Sequence, residues 1–152
     1  ASMIREVASL VTWATPSKFD RYTERRKKRW KEEGVLIFKD KRATGPLKLN
    51  YSYYEDIDSN RDSFDIIKAV SRLKIPHLMI HGTQDRAVTL KEVGELLKIK
   101  RTGHVEFVEL KGCSHSFCTI HPMKSPSRCL QEAIKLTVSF FQKTLAIKAK
   151  EV

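Results

Sequence analysis

Two short stretches carry side chains suited to catalysis: HGTQD at 81–85 and GCSHSF at 112–117. Each closes an aliphatic run, and each presents one ionisable group, Asp85 in the first and His115 in the second. A carboxylate that accepts a hydrogen bond from one imidazole nitrogen fixes the ring's tautomer and steadies the imidazolium. The other nitrogen is then left to act as a general base. Such a pair is useful only with a nucleophile. Ser114 fits that role poorly, because in an extended loop its side chain points away from that of its neighbour His115. Cys113, His115, Cys118 and His121 are all legitimate zinc ligands within the nine residues CSHSFCTIH. They would have to wrap one short loop around the ion, whereas structural zinc sites join two separated pairs, so neither a metal nor any other cofactor is expected. Cys113 or Cys118 beside an imidazolium could be a reactive thiol; the plainer expectation for each is a small buried residue. His77 and His104 read as structural or solvent-facing, and His81 either supports the loop leading to Asp85 or takes no part in it.

The elements that must position these groups follow from the pattern of apolar residues. VASLVTWA (7–14) reads as a strand buried on both faces, left at Thr15-Pro16. Ser17 can cap a charged helix over 18–33 that Gly34 stops. Residues 35–50 suggest two short extended pieces around a turn at Thr44-Gly45-Pro46. YSYYEDI (51–57) has three tyrosines in four positions, which either pack an accessory segment or line a pocket. Residues 59–73 read as a helix with Phe64, Ile67 and Val70 or Ser71 on one side. A regular alternation follows: strand 75–82, helix 89–99 with Leu90, Val93, Leu96 and Leu97 on one side, strand 104–112, and helix 126–148 with the stripe Leu130, Ile134, Val138, Phe141 and Leu145. Strand, helix, strand, helix with short connections implies an α/β fold of about three parallel strands, flanked by helices and joined by right-handed crossovers. Asp85 and His115 then fall on the same rim of the sheet, beyond the carboxyl ends of strands spaced about 5 Å apart.

The series strand, HGTQD, helix, strand, GCSHSF, amphipathic helix resembles the C-terminal half of an α/β-hydrolase, whose triad runs Ser, Asp or Glu, His along the chain. More narrowly, LVTWAT, FDRYTERRKKRWKEEG, HGTQDRAV and HSFCTIHP resemble bacterial serine hydrolases of the dipeptidyl aminopeptidase or acylaminoacyl-peptidase type, close to the dienelactone-hydrolase type. The resemblance covers nearly the whole chain. It implies that Asp85 is the triad acid, His115 the triad base, residues 7–14 the sixth strand of the family sheet, and residues 16–58 a small helical lid within one partial domain spanning 1–152. In such enzymes the nucleophile sits on a G-x-S-x-G elbow upstream of that strand. This sequence has no such elbow: Ser114 has Gly112 two positions before it but Ser116 two after. The expectation is therefore the back half of a serine hydrolase of esters or amides, inactive alone. Its first strand would be an exposed edge that invites self-association.

Composition bounds the alternatives. At 152 residues, with 41 % hydrophobic and 31 % charged residues, one globular domain is expected. The net charge is +11, and seven Lys or Arg fall within residues 21–31. Without an RNA-binding motif or a metal-spaced finger beside it, this run reads as a solvated helix face over Trp30 and Tyr22, and nucleic acid is not an expected partner. The competing class is a basic binding module on a hydrolase scaffold that has lost its chemistry. Three cysteines cannot all pair internally, and neither a secretory leader nor an apolar run of membrane length stands out. A cytoplasmic chain with reduced thiols and no membrane association is expected.

Overall fold

The structure, a computed structural model, describes residues 4, 6–38, 45–100 and 102–148, except the side chains of 147 and 148. In chain order its elements are β1 (Leu10–Trp13), α1 (Glu24–Glu33), β2 (Val35–Phe38), β3 (Leu47–Asn50), α2 (Ser52–Ser59), α3 (Ile66–Ser71), β4 (His77–Gly82), α4 (Leu90–Leu97), β5 (Val105–Leu110) and α5 (Arg128–Lys148). They divide into two units, Ala1–Ser17 with Ile67–Val152, and Lys18–Ile66.

The first unit is built on a parallel sheet of order β1-β4-β5, the expected α/β arrangement. Trp13 pairs with Ile80, and Ile80 with Val108. Central β4 is buried at every position, which is why its sequence shows an apolar run instead of an alternation. Leu78 and Ile80 point to one face, where they join Leu110, Cys129, Ala133 and Phe140 in the core that α5 covers. His77, Met79 and His81 alternate with them and are equally buried. His77 satisfies its ring through Thr12, whose Oγ1 lies 2.9 Å from Nε2.

Several elements differ from the sequence reading. Strand β1 is shorter than 7–14 and only half-buried, because it forms an edge among the described strands. Ser17 does not cap a helix: it is buried, and its hydroxyl donates to Glu95 at 2.9 Å. Helix α1 starts later, capped by Thr23, whose side chain accepts from the Arg26 amide, and Gly34 ends it in the left-handed conformation as expected. The helix expected over 59–73 shrinks to α3, with Val70 buried and Phe64 and Ile67 exposed. The turn expected at Thr44-Gly45-Pro46 lies partly outside the described residues. Helix α5 faces the sheet with Cys129, Ala133, Phe140 and Thr144, while Ile134, Val138 and Leu145 of the expected stripe are exposed. Finally, the thiols are not all reduced: Cys113 and Cys129 form a disulfide, with Cα atoms 5.7 Å apart, and Cys118 is free. The loop after β5 and the first turn of α5 bring these two together, a proximity that spacing along the chain does not reveal.

The second unit is organised around Trp30, fully buried among the rings of Tyr22, Tyr51, Tyr53 and Tyr54 at centroid distances of 5.0–6.4 Å. Its Nε1 donates to the Leu49 carbonyl of the antiparallel β2–β3 pair at 3.0 Å. The three tyrosines of residues 51–54 therefore serve packing. Lys27, inside the basic run, is buried and pairs with Asp20 at 2.6 Å and Glu24 at 2.7 Å, which hold its ammonium well above the usual lysine range. Among the described residues no helix is long and apolar enough to cross a membrane. Removing the central ring should be costly. Trp30→Ala is expected to lower the opening free energy of the β3 and α2 amides by about 3–5 kcal/mol, read by native-state hydrogen exchange.

Candidate active site

Two loops leave the same rim of the sheet, one after Gly82 and one after Leu110, and backbone bonds stitch them together. The Thr83 amide donates to the Leu110 carbonyl at 3.0 Å and the Gln84 amide to the Cys113 carbonyl at 2.9 Å. In return, the Gly112 amide donates to Thr83 Oγ1 at 2.9 Å. This closeness requires glycine at 82, since a Cβ there would stand 2.2 Å from the Cys113 carbonyl oxygen.

The stitched loops carry Asp85 and His115, and the structure brings the two together as expected: Asp85 Oδ2 lies 2.8 Å from His115 Nδ1. The other carboxylate oxygen, Oδ1, accepts from the Ala87 and Val88 amides at 2.8 Å each. His81 Nε2 approaches Oδ2 at 3.2 Å and the Val88 carbonyl at 2.9 Å. Both neighbours of that nitrogen are acceptors, so it carries the proton. The Asp85 side chain is wholly shielded from solvent, whereas 49 % of the His115 side chain is exposed.

Burial pushes the Asp85 carboxyl upward, but the Val88 amide, His115 and the Ala87 amide outweigh it and hold the group below the ordinary carboxylate range. It is therefore ionised at neutral pH and can only accept hydrogen bonds. His115 must then carry a proton on Nδ1, and Nε2 is the ring nitrogen left away from the carboxylate. That nitrogen has no hydrogen-bond partner among the described residues. Such an arrangement can serve chemically as an oriented base on the open side of a buried anion.

The remaining candidates are not brought into it. The Ser114 hydroxyl accepts from the Cys118 amide at 3.0 Å, closing the loop's own turn, and among the described residues no serine hydroxyl bonds to His115. Cys113 is committed to its disulfide, which takes it out of any zinc set, and the described residues contain no metal-binding cluster of three or more such side chains. His104 stays at the surface near Glu106 at 3.3 Å. Sequence reasoning left His81 undecided and missed Gly82 and the two amides. The signal for the amides was the Asp residue itself, which in turns commonly accepts from backbone N–H groups two and three residues on.

No family model and no curated protein matches the sequence. Solved structures do. DcsB, in complex with its substrate analogue, superposes with TM-score 0.62 at 14 % identity, covering 94 % of this chain and 59 % of its own. Est1E from Butyrivibrio proteoclasticus, with ferulic acid bound, gives 0.59 at 16 %, covering 92 % and 51 %. A monoacylglycerol lipase from Paleococcus ferrophilus gives 0.50 at 17 %, covering 73 % and 51 %. The fold is part of an α/β-hydrolase fold. The chain spans only about half the length of these structures. Within this partial hydrolase fold the Asp85 and His115 loops lie where parallel α/β sheets gather their functional groups.

Two outcomes are expected. Gly82→Ala should push the Cys113 carbonyl away and cost about 1–3 kcal/mol or more in a denaturant titration, as overpacking against fixed backbone does. Because the folded state depresses the Asp85 pKa, its ionisation stabilises the fold fully above the ordinary carboxylate value of about 3.9, and that contribution is lost as pH falls through the lower folded value. The stability difference between wild type and Asp85→Asn should therefore narrow below about pH 4 in a series of denaturant titrations.

Proposed function

We propose that this chain is the C-terminal portion of a serine-type α/β-hydrolase, acting on carboxylic esters or amides once a segment outside these 152 residues supplies the nucleophile. The observation that carries the reading is the 2.8 Å Asp85–His115 bond, with the second ring nitrogen left open on the loop rim. In the completed site His115 Nε2 takes the proton of a serine hydroxyl as its oxygen attacks the substrate carbonyl. The imidazolium, steadied by Asp85, then gives that proton to the leaving alcohol or amine. A water repeats the sequence on the acyl-serine, with His115 again as base and then acid. The ester class is favoured by one of the structural neighbours, the monoacylglycerol lipase.

The surface supports an incomplete unit. Strand β1 is an edge of the described sheet, and α5 exposes Ile134, Val138 and Leu145, each 45–49 % accessible. An open strand edge beside an uncovered apolar helix face invites association. Alone, the chain should self-associate, visible as a mass in light scattering that rises with concentration. Val138→Lys should reduce that mass while changing stability by no more than about 0.5 kcal/mol, because the site is exposed.

The chemical test uses a fluorophosphonate, which captures an activated serine covalently. This chain alone should give no labelled serine and no ester turnover. Joined to the polypeptide encoded directly ahead of it, it should be labelled on a G-x-S-x-G serine of that polypeptide. In that form Asp85→Asn should lower kcat by about 10⁴-fold and His115→Ala by at least as much. Full activity in either variant, or a labelled serine within residues 1–152, would remove the assignment.

A further inference from the structure

Cysteine provides the strongest feature that the proposed chemistry does not use. Three sulfurs cluster where the loop carrying His115 meets the first turn of α5. The Cys113–Cys129 disulfide is buried, its residues 0 % and 4 % accessible. Cys118 is a free and exposed thiol, and its Sγ stands 3.7 Å from Cys129 Sγ. A dissolved thiol therefore cannot reach the disulfide without opening the fold, yet a protein thiol already touches it.

We infer that Cys118 is the exchange port of this disulfide: small thiols and disulfides of the glutathione class enter and leave the buried bridge through it. In the first step the Cys118 thiol loses its proton to solvent and the thiolate attacks Cys129 Sγ. The Cys113–Cys129 bond breaks, and the departing Cys113 sulfur takes up a proton. One disulfide replaces another, so no oxidant is needed. The new Cys118–Cys129 bridge has one sulfur at the surface. An external thiolate attacks Cys118 Sγ there, forming a mixed disulfide and releasing Cys129 as a thiolate. A second external thiolate then attacks the small-molecule sulfur, freeing Cys118 and giving the symmetrical small disulfide. The net change is two small thiols oxidised and one protein disulfide reduced; read backwards, the same steps form the bridge.

Burial makes the sequence one-sided. The structure holds the Cys113–Cys129 bond with both residues buried, whereas the Cys118–Cys129 bond would place one sulfur at the surface, so the first is the resting form. The shift is also local. Cys113 and Cys118 flank residues 114–117, so either bridge ties the His115 loop to α5, from its beginning in one form and from its end in the other. The end of this turn already holds Phe117 and Cys118 at positive φ, 53° and 56°, a conformation that is uncommon for residues other than glycine. Moving the anchor to Cys118 acts on that turn directly.

The test compares reduction of the native chain by reduced glutathione at pH 8 in wild type and in Cys118→Ser, quenching with acid and counting thiols by alkylation and mass spectrometry. Cys118→Ser should be reduced at least about tenfold more slowly, because the buried bridge then opens only by local unfolding. Equal rates within twofold would overturn the inference. A second measurement needs no variant. Wild type incubated at pH 8 without added thiol, then quenched and digested in acid, should yield a minor peptide pair bridged through Cys118 and Cys129 beside the major Cys113–Cys129 pair. Absence of that minor pair would likewise overturn it, including in the event that Cys118→Ser fails to fold.

Discussion

A carboxylate withdrawn from water is costly unless donors surround it, and the Asp85 anion imposes that condition on both loops of the rim. Its Oδ1 is satisfied only because the chain turns the Ala87 and Val88 amides inward, which also seats the Val88 side chain in the interior. Its Oδ2 lies 3.2 Å from His81 Nε2 on the preceding strand and takes a shorter bond, 2.8 Å, from His115 on the other loop. The approach of the second loop depends in turn on the missing side chain at Gly82 and on the backbone bonds of Thr83 and Gln84. Satisfying the charge and setting the tautomer of His115 are thus one event. A ring that must donate through Nδ1 to an ion has only Nε2 left for chemistry.

The same condition explains what could be read from sequence. Asp85 and His115 were legible because each follows an apolar strand pattern, and the geometry of a parallel sheet places such followers on one rim. The central strand was legible because burial on both faces demands an uninterrupted apolar run. The partners of Asp85 were harder to see. Two of them are backbone amides, which every residue but proline possesses, and their direction is set by a turn and not by a residue type. The role of Gly82 lies in a contact with a carbonyl thirty-one residues away. The disulfide depends on where α5 begins, and Ser17 and Thr23 carry the same capping chemistry, so only the burial of Ser17 against α4 decides between them.

Charge shows the opposite hazard, a strong sequence signal that the fold absorbs. The seven basic residues of 21–31 read as a solvated helix face over Trp30 and Tyr22, with a basic binding module as the competing class. In the structure Lys27 is an interior group neutralised by Asp20 and Glu24, Arg29 pairs with Glu33, and Arg26 lies over the Tyr22 and Phe38 rings. Composition counts charges, whereas a partner meets the field left after pairing, and here pairing and ring contacts take up part of the run.

Helix α5 offers two faces to the sheet. Its residues at 133, 140 and 144 and those at 134, 138, 141 and 145 both repeat at helical spacing, so periodicity alone could not choose which faces the sheet. Size would have chosen the second set, yet Ala133 and Thr144 go inward with Phe140, and Trp13 Nε1 bonds to Thr137 Oγ1 at 3.0 Å on the way. Small residues and a threonine belong where a helix lies close against a sheet. The larger Ile134, Val138 and Leu145 are then left facing outward. A surface helix needs one apolar stripe, and a helix with two is patterned for cover on both sides. Among the described residues nothing covers the edge of β1 or the outer face of α5. Both fit a sheet that continues past β1 into further strands and helices, which is the continuation that the proposed hydrolase reading calls for.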